Sequence, residues 1–337
     1  MPSLHSEAVT AVLFTCAGQR VDIVTAFSRA GATTLATDVN ELAPALYHAD
    51  RRALVPRVDD PGYIAALGDL VALHDVRLIV PLTDLDHLAL AEGREQLAPA
   101  LVLVSSPQTV ACCSDKYLAH EFFSANGIGS PPTWLPEELP ADARYPVLVK
   151  PRKGFGSRHI YRAQNESEVD FFLTYTAEES MVQSVCRGEE FSIDVFCDLD
   201  GRCLGAVPRT MIESKGGESI KGKTVKDADL IAFSVKVAEA LRITGPACIQ
   251  CFREPGGELQ VTDVNPRFGG GFPLPTAAGS GYPELALALA NGERPEPRIG
   301  DFREGVVMTR FFSQVILDGP AGALELSEQA EAVPGEA

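Results

Sequence analysis

The first hundred residues alternate short apolar runs with segments of helical spacing. Val21–Ala30 and Tyr63–His74 place apolar side chains three or four residues apart, which predicts two helices. The runs between and after them are apolar at nearly every position, as in parallel strands that are covered on both faces. A doubly wound α/β domain is therefore predicted, with a crevice at the strand ends near Gly18, Asp38 and Thr83. The five predicted strands are Val12–Thr15, Thr34–Thr37, Ala53–Val55, Leu78–Pro81 and Leu101–Val104.

A different pattern follows Gly127–Pro132, where glycines and prolines predict a hinge. Apolar and polar residues alternate in Phe191–Phe196 and Cys203–Met211, which is typical of antiparallel strands with one solvated face. Apolar spacing after Asp227, a favourable N-cap, predicts a helix that ends at Leu241. The chain is therefore predicted to be α/β plus α+β. The expected divisions are a doubly wound domain at 1–106, a second domain at 107–317 with a smaller lid subdomain at about 133–184, and a disordered acidic tail at 318–337.

Composition and charge narrow the range of partners. The chain has 46 acidic and 29 basic residues and a formal charge of −17, which argues against nucleic acid or an anionic membrane surface. No apolar run reaches the roughly 18 residues of a membrane span, and Met1–Thr10 lacks the basic start and apolar core of a signal peptide. A cytoplasmic location is the expectation. Any phosphate site must then be built from local cations.

The eight cysteines are scattered through a long chain, which argues against a disulfide scaffold. Cys248 and Cys251 match C-x-x-C, but they belong to a predicted strand, where residues three apart face opposite sides. The sequence contains no second pair to complete a zinc site. Most of the cysteines are predicted to be small buried residues.

The strand predicted at Glu258–Val264 carries the strongest indication of chemistry, and a proline and three glycines follow it. Asp263 and Asn265 are two residues apart, so both side chains project from one face. An antiparallel neighbouring strand can place Gln250 beside Asp263. Carboxylate and amide oxygens suit Mg2+, and Arg267 can hold the anion that the cation polarises. The alternative is a solvated strand end with a turn.

A cationic hairpin is predicted between the strands Tyr145–Pro151 and His159–Arg162, with Lys150 near the end of the first. Backbone amides in a glycine-containing turn can approach a phosphate chain without obstruction by Cβ atoms, and the neighbouring cations neutralise it. We interpret the turn as a flap over a nucleotide. The alternative is a basic hairpin turn with no special role. The turn contains Gly154, Gly156 and Ser157.

Two other positions have both a functional and a plain interpretation. Ser114 is predicted to cap a helix whose first turn contains Lys116, and a cation there lies either on the solvated surface or beside a bound anion. After a predicted helix at Glu166–Thr174, the apolar run Met181–Cys186 leads to Glu190. The Glu190 carboxylate can accept hydrogen bonds from a ribose, or it is an exposed group at a strand edge.

Gly217–Thr224 matches the phosphate-binding pattern G-x-x-x-x-G-K-[ST] letter for letter. That pattern requires a helix that begins at the Lys-Thr pair, whereas the predicted helix begins only at Asp227. We therefore interpret the segment as a mobile basic loop that can close on phosphate, rather than as a P-loop. The cations available to it are Arg209, Lys215, Lys221 and Lys223.

Taken in chain order, these features resemble the ATP-grasp superfamily over about residues 8–315, and within it the carbamoyl-phosphate-synthase-like carboxylate–amine ligases. The resemblance implies a Rossmann-like pre-ATP-grasp domain followed by a two-subdomain ATP-grasp fold. The motifs that carry it are Lys116, Val147–Pro151, Gly154–Ser157, Gly188–Glu190, Ile249–Phe252 and Asp263–Arg267.

The resemblance also implies a role for each of these positions. The phosphate ligands of ATP would be Lys116, Lys150, Gly154, Gly156 and Ser157. The backbone of Gln183, Ser184, Val185 and Cys186 would meet adenine, and Glu190 the ribose. Gln250, Asp263 and Asn265 would carry Mg2+, or Mn2+ in its place. Arg267 would steady the phosphoryl intermediate. Arg209 and Lys221, two of the cations available to the basic loop, are the other candidates for catalytic contact with phosphate.

The implied reaction joins a small carboxylic acid to an amine through an acyl phosphate, with amino acids among the candidate substrates. A phosphotransferase of the same fold and a nucleotide-binding module without turnover stay open as alternatives. A homodimer is the default expectation. Two positions depart from the family pattern: the metal strand has Asp263 where relatives usually have glutamate, and Cys248 stands where relatives of the D-alanine ligase kind have arginine.

Overall fold

The computed structural model describes residues 9–154, 159–215 and 218–317. These residues form two compact units. Of the described residues, the first unit contains 9–107, Gly281–Glu296 and 311–317, and the second contains those within Gln108–Ser280 together with Pro297–Arg310. The domain bounds predicted from the sequence stay a prediction, and the acidic tail at 318–337 lies outside the described residues.

The first unit is built on a five-stranded parallel sheet in the order β3-β2-β1-β4-β5. Its central strand is entirely apolar from Val12 to Phe14, and those side chains have no solvent exposure. Phe14 makes an edge-on ring contact with Phe27 of the first helix, at 5.3 Å between centroids. The predicted doubly wound α/β arrangement is therefore confirmed. The elements are β1 Ala11–Thr15, α1 Val21–Arg29, β2 Thr33–Asp38, β3 Arg51–Leu54, α2 Tyr63–His74, β4 Val76–Pro81, α3 His87–Glu92 and β5 Leu101–Val102.

The second unit begins with two helices and a small antiparallel sheet in the order β6-β9-β7-β8. The sheet packs its apolar side chains, Val147 and Val149 among them, against Val169 of the helix that follows β8. The hairpin predicted around Lys150 is present as β7 and β8. The elements are α4 Pro107–Ser114, α5 Lys116–Ala125, β6 Thr133–Trp134, β7 Val147–Pro151, β8 Tyr161–Ala163, α6 Glu166–Tyr175 and β9 Ser180–Ser184.

A six-stranded antiparallel sheet in the order β14-β13-β10-β11-β12-β15 forms the larger part of the second unit. The helix α7 covers one face, where Leu230 and Val237 pack against Ile193, Val195 and Ile249. The elements are β10 Glu189–Cys197, β11 Cys203–Lys215, β12 Glu218–Thr224, α7 Ala228–Ala240, β13 Gly245–Arg253, β14 Leu259–Asn265, α8 Pro273–Ala278 and β15 Val307–Thr309, together with α9 Tyr282–Ala290, which belongs to the first unit.

The two faces of the larger sheet differ in chemistry. In β10, Phe191, Ile193 and Val195 face the apolar core. Because side chains alternate along a strand, Glu190 and Asp194 project from the opposite face. The sheet therefore has one face for packing and one face free to carry polar groups, and the candidate functional residues lie on the second.

The segment that matches the P-loop pattern is a strand. In β12, Lys223 pairs with Thr210 of β11 and with Val307 of β15. The expectation of a loop at this position is wrong, because antiparallel pairing on both sides holds the segment extended. Rejection of the P-loop is supported, since the next helix begins at Ala228 with Asp227 as its N-cap.

The prediction that Ser114 caps a helix is also wrong. Ser114 ends α4, where its hydroxyl donates to the Ala111 carbonyl at 3.1 Å. The N-cap of α5 is Asp115, whose carboxylate accepts from the backbone N–H groups of Tyr117 and Leu118. Lys116 is therefore the first residue of the helix, one position closer to the helix N-terminus than predicted.

The cysteines behave as the sequence predicts. All eight lie among the described residues and are free thiols. Cys251 belongs to the apolar core beneath α7, while Cys248 lies on the other face of β13 beside Arg209. Within the described ranges, no helix is long and apolar enough to cross a membrane.

Candidate functional site

The strand predicted to hold the metal, β14, lies beside the partner that the sequence predicts. The register of β13 and β14 places Gln250 directly opposite Asp263. A bulge at Thr262 separates this pair from the next, Cys251 with Val261. The bulge allows Val261 and Val264, three residues apart, both to be buried in the core, while Asp263 faces the opposite side. Gln250 and Asp263 thus present their polar groups on one face.

Asn265 connects Asp263 to Arg267. Its side-chain amide donates to the Asp263 carboxylate at 3.1 Å, and its carbonyl oxygen accepts from Arg267 Nη2 at 3.2 Å. Arg267 also donates from Nη1 to the Phe268 carbonyl at 3.3 Å. A carboxylate, an amide and a guanidinium therefore follow one another along the strand end. The guanidinium of Arg267 lies beyond the predicted metal ligands.

The donor set is chemically suited to Mg2+. Gln250, Asp263 and Asn265 offer one carboxylate and two amide oxygens, and all three are hard oxygen ligands. Mg2+ is usually held by one or two carboxylates together with substrate phosphates, so a single aspartate is a sufficient anionic anchor. Among the described residues there is no group of three or more His, Cys, Asp or Glu side chains of the kind that binds transition metals.

Lys150 lies near the end of β7 with a side chain that is only 6% exposed. Burial lowers the pKa of this ammonium to about 8; the nearby Asp263 carboxylate opposes that shift, and the neighbouring Lys116 adds to it. Cys186 is a further electrostatic neighbour of Lys150. The small sheet and β14 therefore bring two lysines, a carboxylate and the end of β9 into one neighbourhood.

Lys116 contacts the glycine turn directly. Its ammonium donates to the Gly154 carbonyl at 2.8 Å, and its backbone N–H donates to the Arg152 carbonyl at 2.9 Å. Arg152 in turn forms an ion pair with the N-cap Asp115, at 2.7 Å between Nη2 and Oδ2. The start of α5 is thus joined to the start of the turn. Gly156 and Ser157 lie outside the described residues.

The segment predicted to meet adenine divides into two parts. Gln183 is inside β9, where it pairs with Leu148 and its buried side chain donates to Thr133 Oγ1 at 2.8 Å. The Ser184 N–H also has a partner, because it donates to the Pro132 carbonyl at 2.9 Å. Val185 and Cys186 lie beyond the end of the strand. Of the four predicted residues, these two are best placed to offer backbone groups to a base.

Glu190 lies on the polar face of β10, two residues after a glycine that packs tightly on the backbone of Arg253. Its side chain is half-buried, and burial raises the pKa of the carboxyl, with Arg209 acting in the opposite direction. Cys186 lies close enough for Glu190 to influence its thiol. The carboxylate expected to meet a ribose is therefore beside the segment expected to meet adenine.

Comparison with known proteins shows which families two segments of the chain are similar to. Residues 12–105 match the PylC-like N-terminal domain, and residues 176–311 match a family described as ATP-grasp in the biosynthetic pathway with Ter operon. Over residues 176–311, the chain is therefore similar to the ATP-grasp superfamily.

Individual relatives agree with this placement. The carbamoyl phosphate synthase large chain of Methanobrevibacter smithii is 29% identical over 223 aligned positions, and the match covers 60% of this chain and 20% of the relative. The chain thus spans about a fifth of the length of that curated relative.

Solved structures show the same fold. Biotin carboxylase from Campylobacter jejuni, solved in a βγ-ATP complex, has a TM-score of 0.70 and 14% identity, and the match covers 89% of this chain and 74% of that one. L-amino acid ligase from Bacillus licheniformis has a TM-score of 0.67 and 18% identity, with coverage of 88% and 77%.

Two of the cations expected to act on the phosphoryl group have acidic partners of their own. Arg209 is 2% exposed and its Nε pairs with Asp194 Oδ2 at 2.7 Å. Lys221 is half-exposed on β12 and pairs with Glu213 at 2.6 Å. The described contacts do not join Lys221 to the neighbourhood of Lys150, whereas Arg209 lies close enough to act on Glu190.

Sequence reasoning missed two charged groups beside the candidate site residues. Asp194 was overlooked, although it is a charged residue in a mainly apolar strand and shares a face with Glu190. Glu254 was also overlooked; its carboxylate accepts from the Arg187 N–H at 3.1 Å and helps raise the pKa of the Cys186 thiol to about 12, behind burial as the main cause. The signal for Asp194 was present in the alternation, whereas Glu254 is recognisable only from the register of β10 and β13.

Proposed function

We propose that this protein is an ATP-dependent carboxylate–amine ligase that forms an amide through an acyl phosphate and releases ADP and phosphate. The observation that carries the proposal is the neighbourhood of Lys150, where a buried cation lies near Lys116 and the Asp263 carboxylate. Buried cations beside a Mg2+-type ligand are what a transferring phosphoryl group requires, because catalysis of that transfer depends on positioning and charge neutralisation.

The nucleotide would be held by residues from both sheets of the second unit. Val185 and Cys186 offer backbone groups to the base, and Glu190 accepts hydrogen bonds from the ribose. Lys116 and Lys150 contact the phosphates. These groups lie at the end of β9, the start of β10, the end of β7 and the start of α5. Their positions support one continuous binding surface.

Gln250, Asp263 and Asn265 would hold Mg2+, or Mn2+ in its place. When bound, the cation supplies charge neutralisation for the phosphoryl oxygens. Arg267 donates a hydrogen bond to Asn265 at the same strand end. Its guanidinium would hold the phosphoryl anion beside the cation. A carboxylate oxygen of the acid substrate attacks the γ-phosphorus, and ADP leaves with the electrons of the broken P–O bond.

The amine then attacks the acyl carbon, loses a proton, and phosphate departs with the electrons of the C–O bond. Arg267 stabilises the oxyanion that forms in this second step. Similarity to an L-amino acid ligase supports amino acids among the substrates, and similarity to a carbamoyl phosphate synthase chain supports an acid that is activated by phosphorylation. We keep a homodimer as the expected assembly.

The experiment that tests the proposal measures ADP release from Mg-ATP with a matrix of small carboxylic acids and amino acids, each with and without an amine. Mass spectrometry of every positive reaction identifies the product. A product lighter by one water than the sum of acid and amine supports the ligase. A product heavier by one phosphoryl group would instead indicate a kinase, and tight binding of ATP without turnover across the matrix would indicate a binding module.

A matched pair of variants ties the activity to the site. Lys150→Met removes the buried cation, whereas Lys236→Met removes an exposed lysine of α7 whose ammonium donates to the Gly127 carbonyl at 2.7 Å. The first variant is expected to lose ADP release by about 100-fold or more, since removal of one group that stabilises developing charge costs 10²–10³ in rate. The second should match the wild type. Equal activity of both variants would contradict the assignment of the site.

A further inference from the structure

A buried ion pair lies beneath the glycines that follow the metal-binding strand. Arg209 and Asp194 are 2% and 3% exposed, and their side chains meet at 2.7 Å. Arg209 Nη2 lies 3.6 Å from Cys248 Sγ, and Nη1 is buried without a hydrogen-bond partner among the described residues. A buried ion pair with one donor unused contributes little to stability, because desolvation of the two charges offsets their attraction. Its presence calls for a role other than stability.

The glycines lie directly on this ion pair. A Cβ atom at Gly271 would fall 2.7 Å from both Nε and Nη1 of Arg209, and one at Gly269 would fall 2.7 Å from Asp194 Oδ1. Such distances are shorter than van der Waals contact. Neither glycine has a positive φ, so glycine is required here for close approach and not for backbone conformation.

The segment is anchored at both ends by buried aromatic rings. Phe268 and Phe272 are 2% and 1% exposed, and their rings meet edge-on at 4.6 Å between centroids. Arg267 precedes Phe268 and donates to its carbonyl. A shift of the glycines would therefore move Phe268 and, with it, the guanidinium of Arg267.

We propose that Arg209 is a positioning residue: its guanidinium supports Gly271, the Asp194 carboxylate that it holds supports Gly269, and this support fixes the orientation of Arg267. The proposal rests on the proposed function, in which Arg267 holds the phosphoryl anion and the oxyanion. It assigns to Arg209 a role through Arg267 in place of direct contact with the substrate. It also explains why the chain keeps a charged pair in a buried position.

The test uses Arg209→Lys, which keeps the positive charge opposite Asp194 but removes the planar group under the glycines. The matched control is Arg298→Lys, the same substitution in an exposed pair with Asp301 at 2.7 Å. Two readouts are taken: hydrogen exchange of the amides of Phe268–Phe272, and kcat and KM for ATP with the substrates that the activity matrix identifies.

In Arg209→Lys, we expect exchange in Phe268–Phe272 to rise about tenfold while the strands of the six-stranded sheet exchange as in the wild type. We expect kcat to fall about 100-fold with KM for ATP within about threefold, since misplacement of a catalytic group by about 1 Å has that effect on rate. Arg298→Lys should change neither. Unchanged exchange, or a rise that spreads over the whole sheet, would overturn the proposal.

A second comparison keeps the proposal testable if Arg209→Lys does not fold. Gly271→Ala is expected to lower kcat strongly in the wild type. In the double variant Arg209→Met/Asp194→Asn, the same substitution should lower kcat less than about twofold, because the flexible methionine can yield to the added methyl group. An equal cost in both backgrounds would contradict the proposal. If no acid and amine give ADP release with the wild type, the proposed function fails, and the exchange measurement still decides whether Arg209 positions the glycines.

Discussion

Nucleotide binding is expected to weaken as the pH rises through 8, because Lys150 loses its charge in that range. The side chain is 6% exposed, and burial lowers the pKa of its ammonium from 10.5 to about 8. About 90% of the free protein should therefore carry the charge at pH 7, and about 10% at pH 9. The phosphates of ATP bind the charged form, so the neutral form must take up a proton to bind.

The size of the effect follows from this proton uptake. Above the pKa of the free protein, the dissociation constant of a nucleotide should rise about tenfold for each pH unit, and below it the constant should be flat. Calorimetric titration with a non-hydrolysable ATP analogue and Mg2+ measures both the dissociation constant and, in two buffers of different ionisation enthalpy, the protons taken up. Near pH 9 the uptake should approach one proton.

Lys150→Arg supplies the control, because a guanidinium stays charged across this range. Its affinity is expected to be the same at pH 7 and pH 9, even if the longer side chain weakens binding overall. The reasoning would be refuted if the wild type showed a flat profile, or if Lys150→Arg showed the same loss of affinity as the wild type.

The same pKa has a consequence for stability. The folded-state pKa of Lys150 lies below the unfolded value, so between pH 8 and 10.5 the unfolded chain binds more protons than the folded chain. The contribution of this group to the free energy of unfolding therefore rises with pH through that window, by about 3 kcal/mol in total. Other groups titrate there as well, so the measurement is the difference between wild type and Lys150→Met in chemical denaturation at several pH values.

Further predictions concern the metal-binding strand, the core and a helix cap. Asp263→Asn should reduce ADP release by about 100-fold or more, whereas Asp301→Asn, at an exposed position, should leave it unchanged; assays across Mg2+ concentrations measure both. Ile249→Ala should lower the free energy of unfolding by about 2–5 kcal/mol because the side chain is fully buried, and Ile212→Ala, 60% exposed, by less than about 0.5 kcal/mol. Asp227→Ala should cost about 1–2 kcal/mol in urea denaturation, since its carboxylate caps α7. Equal stability of Ile249→Ala and Ile212→Ala, or full ADP release by Asp263→Asn, would contradict these expectations.

The elements that the sequence predicts best are those whose own periodicity is strong. The helix at Tyr63–His74 has the predicted bounds. Its apolar spacing is local, and Asp75, in the left-handed backbone conformation, ends it. The strand β14 was predicted for the same reason, and alternation along it and its neighbour was sufficient to place Gln250 opposite Asp263. Local pattern thus determined the part of the candidate site that lies on consecutive strands.

Local pattern was insufficient where a distant partner decides the outcome. Ser114 and Asp115 are both good caps, and Asp115 takes the position while it also pairs with Arg152, 37 residues away. The segment Glu218–Thr224 has the glycine and lysines of a loop, yet pairing with β11 and β15 makes it a strand. Intrinsic strand preference is weaker than such pairing.

The buried pair of Arg209 and Asp194 illustrates the same limit within the site. Arg209 lies opposite Ser192 in the register of β10 and β11, so Asp194 is its diagonal neighbour on the same face. From the sequence, Arg209 and Asp194 each indicate only a charged side chain within a strand. Only the register shows that the two charges meet under the glycines.

The most direct test of the proposed reaction follows an oxygen atom. With an acid substrate labelled with oxygen-18 in its carboxylate, a reaction through an acyl phosphate transfers one labelled oxygen to the released phosphate, because the amine displaces that oxygen together with phosphorus. We predict inorganic phosphate that carries one oxygen-18 per turnover, equal in amount to the amide formed. Unlabelled phosphate beside a labelled amide or a labelled, phosphorylated acid would contradict the ligase mechanism.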